Sequence, residues 1–293
     1  MKRFANYLAF LIAAIAALAL AVDFANVWLI RSSSGNTAYK MERLYANPEP
    51  DEIAIVGSSR ACGNLMPSAI SPRCFNYGVS GMGMNEVLPI LAVLQARKTN
   101  APIILNLDPW GGFGGHRYVA DYRLAPQSGR VRFVDRMPGI RFFGALRSNL
   151  TGALDAHRSV TRVIDRGAQL LKNSRTQEEW AAIYSNFSTI DFGADEDEQQ
   201  ELISTLKSFA PRKVLVVISP CAHRWRDFFR GQKPLAVLVA QLKNIPNVEV
   251  LDYFNACEFD DSDFTDPTHF NVHGAERFSC FMRKFLISNL MLK

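Results

Sequence analysis

Two hydroxyls and an arginine close an apolar run in "EIAIVGSSR", Glu52 to Arg60. A Gly-Ser-Ser turn needs only small residues, so chemistry there requires partners for Ser58 or Ser59: a base within hydrogen-bond reach and a group that orients the base. Five histidines are available. His269 lies in "DFTDPTHFNVHG", three residues after Asp266. On one turn that carboxylate can accept from one ring nitrogen and leave the other free to take a serine proton. Alone, Asp-x-x-His reads as a turn with a helix N-cap rather than as chemistry. A third element is "NYGVSGMG", Asn76 to Gly83, whose glycines permit a tight loop with backbone N–H groups facing an oxyanion. The chemistry these three would perform together is acyl transfer through a serine.

Such residues need elements that bring them to one edge. "EIAIVGS" has the continuous apolar character of a strand covered on both faces, and "RCFNYGVSG", "APIILNLD", "RKVLVVIS" and "NVEVLDYF" read as four more strands. Helices are expected at Asn85 to Arg97, at about Pro234 to Lys243, and at Val272 to Leu290. Strands alternating with helices imply an α/β fold with a parallel sheet and right-handed crossovers. Serine, glycine loop and histidine each follow a predicted strand, which places all three where such sheets build their sites. The interval from about 111 to 212 is too long for a simple crossover. Its "GGFGGHRY", Arg-rich middle and acidic "ADEDEQQELISTLKSF" read as an α-rich insertion over the strand ends.

At 293 residues and 48% hydrophobic content the chain can bury a large core in one elaborated domain, 51–293. The formal charge of +5 is spread out, which argues against a nucleic-acid footprint. Five cysteines without a C-x-x-C pair argue against a zinc site, and His269 with His273 lacks the Glu of H-E-x-x-H. We therefore expect neither metal nor cofactor. Lys2 and Arg3 precede an uncharged apolar stretch, Phe4 to Val22, that as a helix spans roughly 28 Å, about one hydrocarbon thickness. Residues 1–23 read as an N-terminal membrane anchor, with a cleaved signal peptide as the competing reading because Ala19-Leu20-Ala21 is an A-x-A-like site. The basic flank predicts a single pass with the domain on the extracytoplasmic, periplasmic side of the cell membrane. Residues 24–50, with "RSSSGNT", read as a polar linker that holds the domain off the membrane.

Taken together, the blocks resemble the SGNH or GDSL hydrolase-like superfamily, which implies a flavodoxin-like three-layer α/β/α fold. Gly57-Ser58-Ser59 matches its Gly-Asp-Ser block, with Ser59 as nucleophile and Ser58 in place of the aspartate. "NYGVSG" matches the block with the oxyanion glycine, for which Gly81 is the better candidate and Gly78 the alternative, beside the Ser59 N–H. Asp266 and His269 match the last block. The third block, Gly-x-Asn-Asp, is altered: "LNLDPW" sets Asn106 on the glycine, Asp108 on the Asn and Pro109 on the Asp. An ionised Asp108 only accepts hydrogen bonds and would repel an oxyanion. Either Asp108 serves something else, Asn106 donates, or only backbone donors remain.

The apolar start, the Gly-Ser-Ser-Arg form and "DPTHFN" look most like exported DltD-like and alginate-acetylation-like proteins. Those members work beside polytopic membrane-bound O-acyltransferases, which implies an esterase or O-acyltransferase acting on an acylated cell-envelope glycan or polymer through acyl-Ser59. Four further residues are candidate substrate contacts. Arg60 would bind a carboxylate or hold Asp108, Asp108 lies near the strand end, Trp110 with "GGFGG" would stack on a sugar or pack in the core, and His223 follows the fourth strand. The rival reading is a catalytically inactive protein of the same fold that binds glycan or a membrane-bound partner.

Overall fold

A computed structural model of the chain describes residues 2–109, 162–173, 175–185, 192–193, 196–256 and 258–289. Five parallel strands form the central sheet: β1 (Ile53–Val56), β2 (Cys74–Asn76), β3 (Ile103–Asn106), β6 (Val214–Ile218) and β7 (Val248–Asp252). Their spatial order is β2-β1-β3-β6-β7, with register pairs such as Ile55 with Asn76 and with Ile104. Counted along the sheet's own strands this is 2-1-3-4-5, the flavodoxin-like doubly wound order, whose crevice opens at the carboxyl ends beside β1. Every residue of β1, β3 and β6 is buried, as their unbroken Val, Ile and Leu runs require of strands covered on both faces. Edge strand β7 alternates less cleanly and ends exposed at Asp252.

Two helical layers flank the sheet. On one side α2 (Thr37–Ala46) packs on α5 (Met84–Gln95), which packs on α7 (Glu196–Ser208), which meets α8 (Gln232–Lys243). On the other, α3 (Ser59–Asn64) and α4 (Pro67–Ile70) pack against the closing helix α9 (Val272–Ser288). This is a three-layer α/β fold, and its strands and crossover helices fall where the apolar periodicities predict them.

Two expectations change. Residues 24–50 are not a free linker. Helix α1 runs unbroken from Lys2 to Arg31, and its last turns bury Asn26 and Ile30. Helix α2 follows after a short turn and buries Ala38, Met41 and Leu44, an i, i+3, i+6 face that the surrounding polar residues hide in a composition reading. The 111–212 interval is also not uniformly helical. Its described part holds an antiparallel hairpin, β4 (Arg162–Asp165) with β5 (Ala168–Leu171), and a helix, α6 (Gln177–Ser185). The acidic stretch forms α7, which packs on α5 and α8 as the crossover from β3 to β6.

Upstream of Asn26, α1 projects from the domain and exposes Phe4, Tyr7, Phe10, Ile15, Leu18 and Phe24, each more than half accessible. Its 30 residues make it a candidate single-pass membrane span or signal sequence by length and composition.

Candidate active site

Strand β1 hands the chain to α3 through Gly57, whose φ of +145° no side chain tolerates well. A Cβ there would also stand 2.6 Å from the Asn106 carbonyl oxygen. Ser58 caps α3, its Oγ accepting from the Arg60 N–H at 3.2 Å and donating to Asp108. Ser59 is the first helical residue, so its N–H precedes any intrahelical acceptor.

The histidine is set by a second turn. Short strand β8 (Phe264–Asp266) pairs with β9 (His269–Phe270), and Pro267-Thr268 makes the turn between them. Within that turn Asp266 Oδ1 accepts from the Thr268 and His269 N–H groups at 2.9 and 3.0 Å. Both carboxylate oxygens stand within 2.9 Å of His269 Nδ1, which assigns the proton to that nitrogen. Nε2 is thereby left as an acceptor, and it lies 2.8 Å from Ser59 Oγ. Burial alone would raise the Asp266 pKa, but the hydrogen bond and charge of His269 and the two backbone donors outweigh it and hold the carboxyl below its ordinary value. The array can therefore deprotonate a serine while keeping the imidazole in one tautomer.

Three bonds tie α3 to the histidine turn. Arg60 Nε and Asn64 Nδ2 both donate to the Thr268 carbonyl, at 3.2 and 3.0 Å, and Asn64 Oδ1 accepts from the Phe270 N–H at 2.9 Å. On the same helix, the Ala61 and Leu65 carbonyls accept from Asn76, whose own Oδ1 accepts from the Gly78 N–H at 2.9 Å. Asn64 and Asn76 went unremarked in the sequence. A buried Asn beside a motif glycine was the available signal, and only the paired carbonyls reveal its role.

The pocket at this edge encloses about 320 Å³, and Ser59, Asp266, His269 and Gly81 all line it. Gly81 has a φ of +79° and is solvent-exposed, so its backbone reaches the pocket in a conformation suited to glycine. Gly78 cannot serve as the oxyanion donor, because Asn76 already takes its N–H. Its need for glycine is steric: a Cβ would sit 2.7 Å from the Cys62 nitrogen. Cys62, Arg162, Gln169 and Leu171 also line the pocket, the last three from the β4–β5 hairpin. A larger cleft of about 400 Å³ along α9, lined by Tyr253, His273 and Phe281, holds no hydrogen-bonded nucleophile and base among the described residues.

Several predicted contacts fall elsewhere. Asn106 is buried, its Nδ2 donating to Asp108 at 3.1 Å and its Oδ1 accepting from Ser219, and it does not line the pocket. Asp108 does not face substrate. It accepts from Ser58 and Asn106 and pairs with Arg60 at 3.3 Å. Arg60, 1% exposed, is likewise no substrate ligand, since it also donates to the Ser219, Pro220 and Thr268 carbonyls. A buried guanidinium needs this many acceptors, and the carboxylate in the third block supplies the charge. His223 is exposed on a 3₁₀ turn, His223–Phe228, and does not line the pocket. Trp110 and "GGFGG" lie outside the described residues.

Neither a protein-family model nor a curated protein matches the chain. Among solved structures it is similar to a candidate platelet activating factor from Streptococcus pneumonia, at 12% identity and a TM-score of 0.45, over 92% of this chain and 99% of that one. It is also similar to a candidate GDSL-like lipase from Bacteroides ovatus, at 15% identity and a TM-score of 0.42, over 83% of this chain and 54% of that one. A lipase/acylhydrolase from Enterococcus faecalis aligns at 14% identity and a TM-score of 0.37, over 81% of this chain and 96% of that one.

Proposed function

We propose that the protein is a serine esterase or O-acyltransferase, anchored in the cell membrane by α1 with its domain on the extracytoplasmic side. One observation carries the reading: Ser59 Oγ, His269 Nε2 and Asp266 are joined in one hydrogen-bonded line that opens into a pocket. Ser59 attacks an acyl carbonyl as its proton passes to His269 Nε2. The tetrahedral oxyanion is held by the Ser59 and Gly81 N–H groups. Collapse expels the first alcohol or thiol, which takes the proton from His269 and leaves acyl-Ser59. Water then completes hydrolysis, whereas a sugar hydroxyl in its place completes transfer to a cell-envelope glycan or polymer. With Asn106 engaged elsewhere the hole has backbone donors alone, and one missing side-chain donor costs about 10²–10³ in rate. That favours a slow hydrolase whose acyl group survives for an acceptor presented by a polytopic membrane-bound O-acyltransferase. The inactive-scaffold reading rests on Asp108 and the long insertion, and the pairing of Asp108 with Arg60 weakens the first of these.

A fluorophosphonate should form one adduct, on Ser59, and Ser59→Ala and His269→Ala should each abolish it while the protein stays folded. Labelling of either variant at the parent rate would overturn the assignment. A reporter fused after Lys293 should be active only outside the cytoplasm, and cytoplasmic activity would remove the envelope substrate.

A further inference from the structure

Beneath the pocket sits a lysine that this chemistry leaves unused. Lys40 belongs to α2 and is 1% exposed. Its Nζ donates to the Gly78 carbonyl and lies 3.6 Å from the Cys62 sulfur. Among the described residues it forms no ion pair with a carboxylate, and burial lowers its pKa from the ordinary lysine value. A buried amine without a counter-ion is unfavourable, and an apolar side chain of similar length in its place commonly stabilises a fold. Packing therefore gives no reason for a lysine here.

Its two contacts do. Cys62 is one turn along α3 from Ser59 and lines the same pocket. Gly78 precedes the turn from Val79 to Met82, which holds Gly81 and which the Met82 N–H closes onto the Val79 carbonyl at 3.2 Å. Asn76 holds the Gly78 N–H from one side while Lys40 holds its carbonyl from the other. Val79 N–H donates to the Gly57 carbonyl at 3.1 Å, which ties the same turn to the nucleophile's strand. We infer that Lys40 is a positioning residue for the ester chemistry: it fixes the Gly78 peptide so that Gly81 N–H meets the oxyanion formed at Ser59.

This role rests on the acyl-serine reading and adds a structural consequence. The segment that follows α1 helps to build the site. The Gly35 carbonyl accepts from Gln169 Nε2 at 2.6 Å, and Ser34 Oγ accepts from the Gly167 N–H at 3.3 Å, so the same segment also holds the hairpin that walls the pocket.

The test compares full-length parent, Lys40→Met and Lys40→Gln for hydrolysis of 4-nitrophenyl acetate, melting temperature and backbone hydrogen exchange across residues 78–83. Lys40→Met should lose about tenfold or more in kcat with KM within about twofold, as expected when a transition-state donor is misplaced. Its melting temperature should equal or exceed the parent's, and exchange over the turn should rise. Lys40→Gln, which keeps a donor, should recover part of the rate. If kcat and melting temperature fall together, Lys40 is core packing and the inference fails; it fails also if kcat and exchange are both unchanged. A parent that never turns over ester, with exchange still raised in Lys40→Met, refutes the acyl-serine reading and leaves Lys40 as the anchor of the turn.

Discussion

Asparagine in place of Asp108 keeps the side chain's shape and removes its charge, so it separates a structural carboxylate from one that faces the acyl group. Three donors converge on Asp108: Ser58 Oγ–H, Asn106 Nδ2–H at 3.1 Å and the Arg60 guanidinium at 3.3 Å. An amide offers one oxygen to these three and turns an NH₂ toward one of them. Arg60 is 1% exposed and would lose the carboxylate it pairs with. Stripping one partner from a buried pair costs about 3–5 kcal/mol. The low end applies, about 3 kcal/mol, because Arg60 keeps three carbonyl acceptors. At roughly 2–4 °C per kcal/mol for a domain of this size, the melting temperature should fall by about 6–12 °C. Activity should fall as well, by about tenfold, because Arg60 also holds the Thr268 carbonyl next to His269. Thermal unfolding and ester hydrolysis on the one variant decide the matter. A faster enzyme with an unchanged melting temperature would show that Asp108 opposes the oxyanion and that its bonds to Arg60 and Ser58 are incidental.

Two further outcomes follow from the same geometry. The Asp266 pKa is lowered in the folded state, so its stabilising contribution is full above the unfolded value of about 3.9 and is lost as pH falls through the folded value. Parent and Asp266→Asn melting temperatures should therefore converge at the acid end of a pH series, and a gap that stays constant below about pH 4 would contradict the shift. Deleting residues 2–23 should leave a folded, soluble domain, whereas deletion through Ala46 also removes Ile30, Met41, Leu44 and Lys40 from the core and should give no cooperative unfolding transition. Folding of the shorter chain would restore the linker reading.

The sheet was legible because β1, β3 and β6 are unbroken apolar runs, and the order 2-1-3-4-5 then leaves a single edge for the motifs. The N-terminal region was not. In "TAYKMERLYA" only three buried apolar positions separate a core helix from a polar connector, and the buried lysine among them reads as surface until its carbonyl partner is known. The hairpin at 162–171 escaped for a related reason. It pairs locally and leans on the Ser33 to Asn36 turn and the β2 edge, contacts made across more than 80 residues that no short window contains.

The site divides along the same line. Ser59, Asp266 and His269 were readable because the spacing of Asp266 and His269 is local and Ser59 follows a strand whose end is fixed by topology. Around them the sequence left two readings open, a substrate contact or a pair between Arg60 and Asp108, and the structure has the pair. Arg60 and Asp108 are 48 positions apart, yet each is the other's reason for being buried, and neither touches the pocket. Once the carboxylate belongs to Arg60, the arginine belongs to the Thr268, Ser219 and Pro220 carbonyls, and these are the turns that hold His269 and the end of β6. Asp108 thus neutralises a buried cation that fastens three strand ends together. Under the proposed chemistry, a site fastened in this way suits an acyl-serine that waits for its acceptor.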